Sequence, residues 1–212
     1  MKIRWYGHAC FLFTSQNGIK ILTDPFDASV GYPLPDVEPN IVTISHDHFD
    51  HSAVNLIKGN FTTLKGKVDT EIQGIKIRSV KTFHDEQMGG KRGENYIFIF
   101  EIDGIRIAHA GDLGHILNSE DVKNIGNIDV FCVPVGGVYT VDANGALQNV
   151  KELSPKIVIP MHYKTPHLKF DLSSVENFLS IVNYPIRKFT EKEVELTKEN
   201  LPSSTEVWVL NY

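Results

Sequence analysis

Residues 45–51 read Ser45-His46-Asp47-His48-Phe49-Asp50-His51, a run in which three histidines and a carboxylate can surround a divalent metal with little help from the rest of the chain. Ile41, Val42, Thr43 and Ile44 precede it, and these β-branched residues predict a buried strand. The run therefore begins where a strand leaves the core. His46 and His48, two apart in a nearly extended segment, project their imidazoles to the same side and can reach one ion. Ser52 followed by Ala53, Val54, Leu56 and Ile57 predicts the opening of a helix, which sets Asp50 and His51 at a strand-to-helix turn facing a neighbouring position. A second ion can sit there. The bland alternative is a solvated loop, but four candidate ligands in six residues behind a buried strand are too dense for ordinary surface composition.

Imidazole nitrogen and carboxylate oxygen suit zinc, manganese, iron or nickel. With no clustered cysteine in the chain, a structural zinc knuckle or an iron-sulfur site is disfavoured. Cys10 and Cys132 both lie in apolar, strand-like stretches and read as buried free thiols, which fits a reducing compartment.

The chain has 212 residues, 42% of them hydrophobic, enough for one domain spanning 1–212 with its own core. The N-terminal stretch Met1 to His8 has no apolar core of signal-peptide length. No later segment approaches the roughly 18 uninterrupted apolar residues of a membrane span, so the expectation is a soluble, cytoplasmic protein. A formal net charge of -5 offers no general attraction to phosphate backbones and weighs against, without excluding, a nucleic-acid substrate. Oligomeric state is not legible.

The first half reads as short strands joined by turns: Lys2 to Tyr6, Cys10 to Thr14, Ile19 to Thr23 and Ile41 to Ser45. Asn17-Gly18 supplies the left-handed residues of a hairpin. Asp24-Pro25 ends this meander, and the proline-rich stretch from Phe26 to Asn40 predicts an extended loop, a candidate wall for the site. Further strands are expected at Phe61 to Leu64, Ile75 to Thr82, Tyr96 to Ile102 and Ile105 to His109, the last two joined by an Asp103-Gly104 turn. Val130 to Val135, Ile157 to Ile159 and Glu206 to Leu210 complete the set. Helices are expected at Ser119 to Ile125, Asp142 to Leu153 and Ser173 to Val182, the last with Val175, Phe178, Leu179 and Val182 on one face. Two series of strands with interspersed helices predict an α/β fold, a four-layer αββα sandwich of two mixed sheets flanked by helices.

Outside the histidine run, polar ligand types recur where strands stop. His84 ends Ser79-Val80-Lys81-Thr82-Phe83-His84, His162 ends Ile157-Val158-Ile159-Pro160-Met161-His162, and Asp112 stands between Gly111 and Gly114, which permit close backbone approach. Any one of these histidines alone is more economically a surface or core hydrogen-bonding residue. Alongside the run, they read as ligands. Asp24 in Thr23-Asp24-Pro25 is a candidate for orienting a ligand imidazole, with a plain turn aspartate as the competitor. His8 sits at a strand-to-strand turn, either capped there or at the mouth of the pocket. His109, three residues before Asp112, competes with His84 as a ligand, and His8 with His109 could also capture an extra ion.

His46-Asp47-His48-Phe49-Asp50-His51 resembles the H-x-H-x-D-H motif of the metallo-β-lactamase-fold superfamily. Gly7-His8-Ala9-Cys10, Leu22-Thr23-Asp24-Pro25, Phe83-His84-Asp85, Ala110-Gly111-Asp112-Leu113-Gly114 and Pro160-Met161-His162-Tyr163 match further blocks of it in order. The chain is most similar to its single-domain bacterial metal-dependent hydrolases, akin to ascorbate 6-phosphate lactonase and N-acyl phosphatidylethanolamine phospholipase D. The resemblance implies the αββα sandwich and two divalent ions per chain, zinc, manganese or nickel. It places His46, His48 and His84 on one ion, Asp50, His51 and His162 on the other and Asp112 between them, with His84 preferred over His109 and with Asp24, His8 and His109 as auxiliary residues.

A water between two divalent ions has its pKa lowered from about 15.7 toward roughly 7, so a hydroxide nucleophile is available near neutral pH. Asp50 is the expected catalytic residue, holding that nucleophile and receiving its proton. Tyr139, Thr140, Tyr163 and His167 are candidate transition-state donors or ordinary loop residues. The expected enzyme is a metal-dependent hydrolase acting on a phosphodiester, RNA included, or on a cyclic ester or lactone. The alternatives are a metal-binding or regulatory protein without turnover and a β-lactamase-like side activity. Relatives that reduce oxygen or nitric oxide carry glutamate where this chain has His48 and append a flavin domain, and neither feature is present.

Overall fold

Phe11 and Phe13 face one side of their strand and Cys10 and Leu12 the other, and this period-two alternation divides the apolar side chains into two layers. The computed structural model describes residues 1–212. In chain order its elements are β1 (Lys2–Gly7), β2 (Cys10–Thr14), β3 (Lys20–Thr23), β4 (Ile41–Ile44), β5 (Thr62–Lys65), β6 (Asp69–Ile72), β7 (Ile75–Phe83), β8 (Glu94–Ile102) and β9 (Ile105–His109). They continue as α1 (Ser119–Ile125), β10 (Val130–Pro134), α2 (Ala143–Leu153), β11 (Ile157–Met161), α3 (Val175–Leu179), β12 (Ile186–Lys188), β13 (Glu193–Glu195) and β14 (Glu206–Val209). One six-stranded sheet runs β13-β1-β2-β3-β4-β5 and one eight-stranded sheet β12-β14-β11-β10-β9-β8-β7-β6.

Both sheets are mixed. β1, β2 and β3 pair antiparallel, whereas β3, β4 and β5 run parallel. β6 through β9 form antiparallel ribbons and β9, β10, β11 and β14 run parallel. The sheets meet through one apolar layer in which Phe13 of β2 lies 5.7 Å from Phe100 of β8, ring to ring. Each phenyl buried there contributes about 1.5–3 kcal/mol relative to exposure. α2 packs its Ala146, Asn149, Val150 and Leu153 stripe inward, started by the Asp142 carboxylate on the Gly145 amide. The expected sandwich is present.

Its outer layers are not alike. α2 lies against β10 and α3, and α1 against β7, so the helices belong to the eight-stranded sheet. Cys10, Leu12, Leu22 and Val42, on the outer face of the six-stranded sheet, are covered by Phe26, Val30, Tyr32, Ile57, Leu168 and Leu172, all from loops or short turns. The helix expected after Ser52 is only a 3₁₀ turn, Val54–Leu56. The Ala53 amide donates to the Pro25 carbonyl at 2.8 Å and Ile57 is extended, so the chain crosses the loop layer and cannot coil there. The helix expected over Ser173 to Val182 shortens to Val175–Leu179, since only Phe178 and Leu179 are buried. At Asn17-Gly18 only Gly18 takes a positive φ. β6, β12 and β13, absent from the sequence reading, are short and largely exposed, so no hydrophobic alternation marks them.

Candidate metal centre

The site stands at strand ends. Ser45 and His46 follow β4, His84 follows β7, Asp112 comes after β9 and His162 follows β11. His8 lies in the β1–β2 turn and Asp24 just past β3. Parallel strands deliver their carboxyl ends to one edge, where a ligand can be met by side chains from several of them. His8, Asp24 and His162 have φ of 53°, 40° and 51°, a left-handed backbone that costs energy for a non-glycine residue and turns each chain sharply at the site.

Asp112 is the centre of the cluster. Its Oδ2 is 3.1 Å from His84 Nε2 and 3.3 Å from His162 Nε2, and its Oδ1 is 3.2 Å from His51 Nε2. His46 Nε2 stands 3.9 Å from the same carboxylate. Three sets of potential ligand atoms gather here, those of each set within 4.8 Å of one another: His46, His48 and His84; His8, Asp50, His51 and His162; and Asp24, His46 and His51. His109 joins none of them, nor does it form an ion site with His8.

Hydrogen bonds aim the imidazoles. His51 Nδ1 donates to Asp24 Oδ2 at 2.9 Å, which turns its Nε2 toward Asp112. Asp24 also accepts from the Ser45 amide at 2.8 Å and the Ser45 hydroxyl at 2.5 Å, and Ser45 Oγ in turn accepts from His46 Nδ1 at 2.9 Å. His46 Nε2 is thereby left as a lone pair, 3.1 Å from His48 Nδ1. His8 Nε2 donates to Asp50 Oδ2 at 3.0 Å. His109 donates from Nε2 to the Ala9 carbonyl at 2.7 Å and accepts the Gly111 amide at 3.3 Å, tying the His8 turn to the Asp112 turn. Asn95, a residue without a motif to announce it, accepts the Asp112 amide at 2.9 Å and donates to Thr82 and to the Ala110 carbonyl. A Cβ on Gly111 would come within 2.4 Å of Asn95 Oδ1 and Ser45 Cβ, so the two sheets close there only on glycine, and one on Gly114 would come within 2.2 Å of the His84 backbone, so the loop after β9 meets the end of β7 only on glycine.

Charge in the cluster is arranged for a cation. Burial alone favours neutral carboxyls at Asp50 and Asp112, but the surrounding imidazoles outweigh it and hold both well below the usual carboxylate range. Burial, with neighbouring imidazoles, lowers His46 to about 3 and His8 to about 4. His51 is the exception: burial opposes its charge, yet Asp112, Asp24 and Asp50 together raise it well above its ordinary value. Three buried carboxylates, Asp24, Asp50 and Asp112, are thus held ionised around one imidazole that favours its charge, an excess of negative charge that suits a cation. His51 Nε2 and Asp112 Oδ1 face each other at 3.2 Å without hydrogen-bond geometry, and both are fully buried. A nitrogen and oxygen donor set with unpartnered atoms facing inward fits divalent metal.

Residues 2–162 match the Beta-lactamase superfamily domain. A UPF0173 metal-dependent hydrolase of Thermoplasma volcanium is 30% identical over 226 residues, covering 92% of this chain and 99% of that protein. The chain belongs to this family of metal-dependent hydrolases. Another UPF0173 metal-dependent hydrolase, from Archaeoglobus fulgidus, is 30% identical across 78% of this chain and 84% of its own. A solved structure from Thermotoga maritima, described as a candidate zinc-dependent hydrolase of the metallo-beta-lactamase superfamily, has a TM-score of 0.81 at 41% identity, with 99% of this chain and 97% of that one covered.

In this UPF0173 chain a cleft of about 480 Å³ opens above the cluster, with His48, Asp50, His84, Asp112 and His162 on its floor. Phe49, Tyr139 and Phe170 form one wall, and Lys91 and Arg92 complete the lining. Of the four loop residues weighed as transition-state donors, only Tyr139 reaches this cleft. Thr140 lines the adjacent cavity and donates to the Val141 carbonyl. Tyr163 is buried against Trp5, ring centroids 5.2 Å apart, and the exposed His167 packs on Tyr212 at 5.2 Å, so neither lines the cleft. Lys91, Arg92, Phe49 and Phe170 escaped the sequence reading because single basic and aromatic loop residues are unremarkable until the fold gathers them. No helix is long and apolar enough to cross a membrane.

Proposed function

We propose that this protein is a dinuclear metal-dependent hydrolase acting on a phosphodiester or a cyclic ester. In this reading His46, His48 and His84 hold one ion, Asp50, His51 and His162 the other, and Asp112 lies between them. The observation that carries it is the Asp112 carboxylate, with His84 and His162 within 3.3 Å of one oxygen and His51 at 3.2 Å from the other. Divalent ions held there supply Lewis-acid polarisation of the scissile group and a water acidic enough to act as a nucleophile near neutral pH.

The chain's own residues do the positioning. Asp24 and Ser45 set the tautomers of His51 and His46. Asp50, fixed by His8 and His51, would accept a hydrogen bond from the attacking water and orient it toward the scissile group. Tyr139 and Arg92 face the same cleft and are placed to donate to a substrate. No serine or cysteine lines the cleft, and Cys10 and Cys132 are buried free thiols, in keeping with a reducing compartment.

The test is turnover of a panel of generic phosphodiesters and lactones by the metal-loaded protein, with His48→Ala and Asp50→Ala beside it. We expect activity in the wild type, lost in both variants, and about two ions per chain by elemental analysis. A fully loaded wild type that turns over nothing in the panel speaks for a metal-binding protein, and less than one ion per chain under every condition sinks the dinuclear assignment.

A further inference from the structure

The loop that follows His84 presents two cations to the cleft and spends neither of them internally. Lys91 and Arg92 are the only lysine or arginine side chains lining it, in a chain whose formal net charge is -5. Nearby basic groups are neutralised, Lys81 by Glu94 and Lys65 by Asp47. Lys91 and Arg92 have no such partner. The Arg92 guanidinium lies over the Tyr139 ring, 5.2 Å from its centroid, a cation–π contact that uses none of its N–H donors on a carboxylate.

Their positions are built in advance. Asp85, the residue after His84, accepts four backbone amides: Gln87 at 2.8 Å and Gly89 at 3.0 Å on one oxygen, Lys91 at 2.9 Å and Arg92 at 2.7 Å on the other. The backbone carrying both cations is thus pinned by a carboxylate adjoining a candidate metal ligand. A group recognised by these cations therefore sits at a set place relative to the scissile bond.

The aromatic part of the lining, which Arg92 adjoins at Tyr139, has a different character. Phe49 and Tyr139 both meet Phe170 edge-on, at 6.2 Å and 6.4 Å between centroids, and Lys164 Nζ fixes that stretch by donating to the Leu168 and Phe170 carbonyls. Phe49 is 57% exposed inside the histidine run, where the fold gains nothing from an apolar ring. A second cavity of about 510 Å³ abuts the cleft and shares Lys91, Arg92 and Tyr139 with it, so the cations stand at the junction of the two spaces.

We propose that the substrate is an anion bearing an apolar ring, its charged group held by Lys91 and Arg92 and its ring laid against Phe49 and Phe170. This rests on the hydrolase reading and narrows it: neutral esters and neutral lactones are poor substrates, and anionic ones, phosphodiesters among them, are preferred. Charge-assisted hydrogen bonds to a desolvated anion are strong enough to supply the discrimination.

The test uses the metal-loaded protein with two aryl substrates, bis(4-nitrophenyl) phosphate as the anion and 4-nitrophenyl acetate as the neutral ester, and phenylphosphonate and inorganic phosphate as ligands in calorimetry. In Arg92→Ala and in the Lys91→Ala, Arg92→Ala double variant, we expect the anion-over-neutral ratio of kcat/KM to fall by about tenfold or more, mainly through KM. Phenylphosphonate Kd should rise by a similar factor, metal content should hold, and Arg92→Lys should restore part of the loss. Phe49→Ala should weaken phenylphosphonate binding and leave inorganic phosphate binding alone. Equal losses on both substrates, or phenylphosphonate bound as tightly by the double variant or not at all by the wild type, overturn the proposal. Phenylphosphonate binding that depends on Lys91 and Arg92 in a protein that hydrolyses neither substrate would leave the anion site standing and the hydrolase reading refuted.

Discussion

His8 Nε2 donates to Asp50 Oδ2 at 3.0 Å, joining the first turn of the chain to the histidine run 42 residues later. The turn is held from behind, where Trp5 Nε1 donates to the His8 carbonyl at 3.1 Å and His109 to that of Ala9. Asp50 Oδ2 also lies 3.5 Å from His51 Nε2, so His8 is the shorter of its two imidazole contacts. His8→Ala should therefore lower kcat by about 10–100-fold, with His8→Gln, which keeps a donor, losing less. Steady-state kinetics with metal analysis checks it; full activity in His8→Ala would show that Asp50 needs no such tether.

Asp24 acts through His51 and Ser45 and touches neither the cleft nor a substrate. Asp24→Asn keeps its size but removes the charge that holds His51 Nδ1 as donor, so metal affinity should fall by about 10–100-fold. Competition with a chromogenic chelator measures this. Chelation itself should destabilise the wild type, since free ion at a hundred times its Kd stabilises the folded state by about 2.7 kcal/mol. An unfolding midpoint indifferent to chelator would mean that the cluster holds no ion.

Asp85 predicts an acid dependence. Burial raises it, but the amides of Arg92, Lys91, Gln87 and Gly89 outweigh that and lower it from 3.8 to about 2. A carboxylate whose folded pKa is depressed stabilises the folded state above its unfolded value and loses that contribution as pH falls through the folded one. Urea midpoints of the chelated wild type should exceed those of Asp85→Asn at pH 4 and above, and the gap should close as pH approaches 2. A gap that is constant across this window would assign the difference to something other than the charge.

Phe13 reaches across to Phe100 at 5.7 Å where the two sheets meet. Phe13→Ala should cost about 3–5 kcal/mol of stability, while the folded fraction keeps its metal content, because the cluster hangs on strand ends and not on this layer. Denaturant unfolding combined with metal analysis separates the two effects. Loss of metal in fully folded protein would contradict that separation.

How much was legible is seen best by comparing His84 with Lys91. His84 could be read because a ligand-type residue stops a long alternating strand, and the structure groups it with His46 and His48, whereas His109, also at a strand end, points away to the Ala9 carbonyl. Lys91 could not, since a lysine in a glycine-rich loop gains meaning only from what the loop faces. The helix expected after Ser52 shows the same limit. Its apolar residues were read as helical spacing, yet Ile57 is buried in the layer covering the six-stranded sheet, and a side chain that must fill a given space overrides local periodicity.

The sequence by itself determined the kinds of atoms available to a metal, their placement at strand ends and the hairpin and strand pattern that makes a two-sheet sandwich. These follow from interactions among near neighbours: strand alternation, turn residues and the fixed spacing of the histidine run. Only the tertiary structure decided that Asp112 lies among His46, His51, His84 and His162, that His8 belongs with Asp50, and that Lys91 and Arg92 share a cleft with Phe49, Tyr139 and Phe170. Those relations join residues far apart in the chain, and their distances are set by how closely the two sheets and their loops pack, down to the absence of a Cβ at Gly111 against Ser45 and at Gly114 against His84.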